Sequence, residues 1–256
     1  MRSRSRWLRL GSAAVVAAAA LASINPPGGL PYAEDFEDGA LGGWTLELDA
    51  ENALFPDYGG RAWYGRGALV ARTAPPAPNA AVAAGVTQTS VLSVRFFLFV
   101  TSGAENAIAP GIGSIRLMRL DGQAIAARLS LDLMRGLDNV LYLVPRINGV
   151  AQLPAGSPVT SITAGVYHYV ELGLDPVGNV SLYIDDPRVP RHQFPGAQSS
   201  ILRVAVGIAG EVLMVDAGTG AGMVELVYDD LTISDRRVGL AGTKTLVANE
   251  YDSPGV

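Results

Sequence analysis

The stretch LSVRFFLFV, residues 92–100, decides the fold. Leu92, Val94, Phe96, Leu98 and Val100 recur at every second position, which lines them up on one face of an extended chain and scatters them around a helix. The same period runs through AIAARLSLDL, residues 124–133, where Ile125, Ala127, Leu129, Leu131 and Leu133 alternate with Ala126, Arg128, Ser130 and Asp132. Alanine favours helices, but a period of two overrides it here. HYVELGL, NVSLYID and LRVAVGI repeat the pattern. Asp121-Gly122, Asn148-Gly149 and Asp175-Pro176-Val177-Gly178-Asn179 punctuate the runs as hairpin or turn signals. No helical crossover separates the strands, so they pair antiparallel. About ten to twelve of them are expected, spaced as in an all-β sandwich or barrel. TAPPAPNA (73–80) and DAGTGAG (216–222) read as long surface loops.

The ends are different. MRSRSRWLRL holds four arginines and no acid, and the small apolar run GSAAVVAAAALA follows it. That run is too short to span a bilayer, and Ala20-Leu21-Ala22 offers a small-x-small cleavage site, so residues 1–22 read as a secretory signal peptide. Residues 23–33, SINPPGGLPYA, read as a Pro/Gly linker, 34–237 as the domain, and 238–256 as a C-terminal tail. The whole chain carries a formal charge of −5, and removing the leader makes it more acidic. One lysine remains, Lys244, and the arginines are scattered, which argues against a nucleic-acid partner. No second segment is apolar enough for membrane insertion after cleavage. Cysteine is absent, so neither disulfides nor thiolate chemistry is open to an exported chain of this sequence.

Three stretches carry a resemblance. AEDFEDGALGGW (33–44) resembles the first strand and turn of concanavalin A-like lectin/glucanase jelly rolls. YHYVELGLDPVGNVSLYIDD (167–186) resembles the hairpin of the laminin G-like members, and VELVYDDLTISD (224–235) their closing strand. The resemblance implies an all-β, antiparallel two-sheet jelly-roll sandwich whose concave sheet holds saccharides in the members that bind them. It also implies that first and last strands pair, bringing Asp35, Glu37 and Asp38 toward Asp229 and Asp230. Calcium accepts six to eight oxygens in tolerant geometry, so a structural calcium held by Asp35, Glu37, Asp229 and Asp230 is expected.

TLELDAEN (45–52) places Glu47, Asp49 and Glu51 on alternate positions. In the glucanases of this superfamily, E-x-D-x-E carries the nucleophile and the acid/base, which by resemblance would be Glu47 and Glu51, with Asp49 between them. Those enzymes carry the motif well inside the domain, whereas here Glu47 lies only three residues beyond Trp44. The expectation is therefore an amphipathic strand with Leu46 and Leu48 toward the core and the three acids toward water.

Sugar recognition asks for an aromatic platform beside polar groups. Tyr58, Trp63 and Tyr64 in DYGGRAWYGRG (57–67) are the carbohydrate-binding candidates, although adjacent Trp63 and Tyr64 point to opposite sides if extended. Trp44 is assigned to packing. His168 and His192 are the only histidines, too isolated for a zinc site or a triad. Asn179-Val180-Ser181 is a formal glycosylation sequon. The first expectation is a secreted, non-catalytic module that binds a polysaccharide or another surface polymer. A glucanase-type hydrolase using Glu47 and Glu51, and an adhesive surface protein that meets other extracellular proteins, are the alternatives.

Overall fold

The computed structural model describes residues 30–38, 41, 44–49, 53–58, 60–63, 65–73, 79–122, 128–153, 160–196, 201–209, 212–213 and 224–239. The leader at 1–22, the loop at 216–222, Glu51 and Tyr64 lie outside them. In chain order the strands are β1 (Tyr32–Glu34), β2 (Thr45–Leu48), β3 (Ala53–Asp57), β4 (Ala68–Thr73), β5 (Asn79–Thr89), β6 (Leu92–Val100), β7 (Ser114–Gly122), β8 (Arg128–Arg135), β9 (Leu141–Ile147), β10 (Val150–Ala151), β11 (Ser161–Ile162), β12 (Tyr167–Leu174), β13 (Asn179–Ile184), β14 (His192–Pro195), β15 (Ile201–Ala209), β16 (Val212–Leu213) and β17 (Val224–Ser234). Among the described residues the one helical piece is a 3-10 turn at Ala104–Ala107.

Two antiparallel sheets pack face to face. The eight-stranded sheet runs β14-β13-β12-β6-β17-β4-β3, with β1 also on β17. The nine-stranded sheet runs β10-β9-β8-β7-β15-β5-β2, with β11 on β9 and β16 on β7. First and last strands do pair, Tyr32 opposite Ile233 and Glu34 opposite Leu231. The strand that settled the fold class is central: β6 sits between β12 and β17 and sends Leu92, Val94, Phe96, Leu98 and Val100 into the core. They meet Ile115, Met118, Leu120, Leu129, Leu131 and Leu133 from the other sheet. Tyr228 of β17 crosses this core and donates its buried hydroxyl hydrogen to the Gly207 carbonyl of β15 at 2.8 Å.

Asn79 and Ala80, expected in a loop, are the start of β5 instead. Ala80 faces the core and Ala81 the outside, both fully buried, so small side chains on both faces erase the alternation that marks the other strands. No helix among the described residues is long and apolar enough to cross a membrane.

Candidate functional site

The outer face of the nine-stranded sheet carries the densest chemistry. The pleat of β8 turns Arg128, Ser130 and Asp132 away from the core that Leu129, Leu131 and Leu133 fill. On β7 the register slips between Arg116 and Met118, a bulge. One extra residue there lets Arg116 and Arg119, three apart and so of opposite parity, both face outward. Arg146 of β9 stands opposite Ser130, Arg203 of β15 opposite Asp121, and Glu47 of β2 opposite Ala81.

Three carboxylates on this face are each shared by two guanidiniums. Glu47 lies 3.0 Å from Arg119 and 2.5 Å from Arg203. Asp121 lies 2.7 Å from Arg119 and 3.1 Å from Arg128. Asp132 lies 3.3 Å from Arg116 and 2.6 Å from Arg146. The Arg146 contact is close but misaligned, and the buried Nε–H has no acceptor among the described residues. Five arginines against three acids give this ion-paired row a positive balance on an acidic chain. Burial alone would lower the Arg119 pKa; Asp121 and Glu47 outweigh it and hold the guanidinium above its ordinary value.

The meeting of Glu47 and Arg119 needs explaining, because β5 and β15 lie between β2 and β7. Strands spaced by about 4.8 Å put the two backbones roughly 14 Å apart. The floor between them is Ala81, Ala83, Ala205, Gly207 and Ala209, so both long side chains can lie flat over it. Gly207 is required: its φ is 128°, and a Cβ would fall 2.6 Å from the Ala80 carbonyl oxygen.

The acidic triplet therefore behaves differently from expectation. Leu46 and Leu48 are 49% and 46% exposed, while the Glu47 side chain is only 15% exposed. An edge strand leaves its apolar side thinly covered, and two guanidiniums draw the acid onto the sheet. Asp49 accepts the backbone N–H of Asn79 at 2.8 Å and its amide at 3.1 Å. Tyr142 is the tyrosine of this face. Its hydrogen bond to Asp138, at 2.5 Å, raises its pKa, which makes it a poor base at neutral pH.

The residues expected to hold calcium are placed around a hydrogen-bonded turn. Asp35 accepts the Glu37 N–H at 3.1 Å, and Glu37 accepts the N–H groups of Arg66 and Gly67 at 2.8 and 2.9 Å. Asp229 accepts the Asp230 N–H, and Asp230 meets Arg95 at 2.8 Å. Among the described residues no three His, Asp or Glu side chains gather closely enough for a metal ion. As placed, these four carboxylates meet backbone N–H groups and the Arg95 guanidinium.

Of the aromatic candidates, Trp63 stacks on Phe97 of β6 at 4.9 Å and 13°, and is 49% exposed on the outer face of the eight-stranded sheet. Tyr167 meets it edge-on at 5.6 Å. Tyr58 is apart, its hydroxyl 3.4 Å from the Glu37 carbonyl. Trp44 is buried and edge-on to Tyr32. His168 Nδ1 is 2.8 Å from Asp185, but its Nε2 is taken by the Thr163 backbone at 3.0 Å, so the pair faces no nucleophile. His192 Nε2 pairs with the Gln152 carbonyl.

No family model matches the chain, and no curated protein matches it in sequence. Solved structures do match. A cellulose-induced protein superposes with a TM-score of 0.60 at 16% identity, over 81% of this chain and 99% of its own. An endo-β-1,4-glucuronan lyase from the fungus Trichoderma reesei gives 0.59 at 13%, over 81% and 96%. The alginate lyase Aly36B gives 0.55 at 10%, over 82% and 98%. At these identities the likeness is one of fold: a β-sandwich found among carbohydrate-active proteins.

Proposed function

We propose that the chain is an exported jelly-roll module of concanavalin A-like type that binds an acidic polysaccharide on the outer face of its nine-stranded sheet, without cleaving it. The observation that carries this reading is the row of five guanidiniums that share three carboxylates. An arginine has five N–H donors, so those already paired to carboxylates keep some for a uronate oxygen. The paired acids hold the guanidiniums in place before ligand arrives, which lowers the ordering cost of binding. The fold likeness to proteins named for glucuronan and alginate supports the same ligand class. The binding reading is supported by Tyr142, whose hydrogen bond to Asp138 raises its pKa and keeps the phenol protonated at neutral pH.

The test is equilibrium binding of glucuronan, alginate and a neutral β-glucan to the domain. The two polyuronates should bind, more weakly as salt rises, and the neutral glucan should not. Arg203→Gln should weaken polyuronate binding about 10-fold or more, the loss of one charge-assisted contact. Equal affinity for all three polymers, or unsaturated uronate ends released by the protein, would overturn the reading.

A further inference from the structure

The opposite side of the sandwich is built by another device. After β17 the chain turns back across the outer face of the eight-stranded sheet. Glu171 of β12, fully buried, accepts the N–H groups of Val238 and Gly239 at 2.9 and 3.2 Å, and also binds Ser93 at 2.5 Å and the Tyr169 hydroxyl. Arg95, equally buried, reaches the Gly239 carbonyl at 3.3 Å. This clasp makes the Arg237–Gly239 segment a fixed wall. Facing it are Pro187 and Arg188, from the connection between β13 and β14, and together they line an open cavity of about 470 Å³. That volume is within the range of small-molecule sites.

The two arginines of the cavity differ from those across the sandwich. Arg237 lies over the Tyr183 ring, 4.1 Å from its centroid, which fixes the guanidinium plane. Its nearest carboxylate, Glu171, is 4.0 Å away, beyond hydrogen-bond reach. The Arg188 side chain meets no carboxylate among the described residues. Two guanidiniums with unspent donors, beside the apolar surfaces of Pro187 and Val238, suit a sugar ring that bears a carboxylate.

We infer that this cavity is a second saccharide site, selective for a uronate residue, on the face opposite the five-arginine row. The ligand class rests on the function proposed above; the site itself rests on separate residues. Two sites on opposite faces make each molecule a bridge between two polysaccharide chains, so the protein gathers polymer as well as binding it.

A glucuronan tetrasaccharide titrated into the domain should fill two sites per molecule, and long glucuronan should turn turbid when protein is added. Arg188→Ser combined with Arg237→Ser should reduce the stoichiometry to one and abolish turbidity, with binding to the arginine row kept within about two-fold. Arg188→Ser alone changes an exposed side chain with no carboxylate partner and should weaken the second site about 10-fold with the fold intact by circular dichroism. Unchanged stoichiometry and turbidity in the double variant would overturn the second site and leave the proposed function standing. Absence of binding by the unaltered domain would overturn both.

Discussion

Gly67 decides the shape of the opening turn. Phe36 is fully buried with φ of 58°, an uncommon backbone for a bulky residue, and a Cβ on Gly67 would land on its carbonyl oxygen. Gly67→Ala should therefore lower stability by about 1–3 kcal/mol, measured by urea unfolding. Glu225 makes a different residue-scale prediction. Burial alone would raise its pKa, but Arg72 and Arg61 prevail and hold the carboxyl below its ordinary value. A folded-state pKa below the unfolded one stabilises above about pH 4.3 and is lost as pH falls through the depressed value. Glu225→Gln should thus cost about 1.5–3 kcal/mol at pH 7 and progressively less in acid, seen by comparing melts at the two pH values.

At the scale of the element, β5 and β7 account for what could and could not be read from the residues. The long alternating strands β6, β8, β12 and β15 were legible because each buries one face and repeats its period several times. Two-residue strands such as β10, β11 and β16 carry no period at all, which is why the expected count fell short. The five-arginine row was illegible for a further reason. Its members are dispersed from Arg116 to Arg203, and plain alternation assigns Arg116 and Arg119 to opposite faces, whereas the β7 bulge brings them to one. Only the register of four strands assembles them. Composition contained one hint, the alanine-rich run of β5, whose meaning appears once Arg119 and Glu47 are seen lying over it. Ala205→Leu should lift that pair off the sheet, cost about 1–3 kcal/mol by overpacking, and weaken polyuronate binding in the same titration as Arg203→Gln.

For the whole molecule, the antiparallel all-β class follows from pattern alone, and the two-layer architecture and the pairing of first and last strands follow from the resemblance. The calcium expected between those strands depends on where carboxylates point, and side-chain direction at a turn is set by local N–H donors that no pattern reports. Adding calcium, or removing it with a chelator, should leave the melting temperature within about 1 °C. A ligand confined to the native state raises stability in proportion to the logarithm of its saturation, so a rise of several degrees would show calcium held between the two strands.

The antiparallel pairing of β1 with β17 has a mechanical consequence. Tyr32 lies opposite Ile233, so the chain enters beside the point where β17 finishes. A load applied between the domain's two ends would pull this three-residue ribbon apart one rung at a time, instead of shearing every rung at once. β17 itself, gripped by β4 and β6 on either flank, would stay seated. Under tension the domain should first surrender a short lanyard at its entrance and keep its layered body whole.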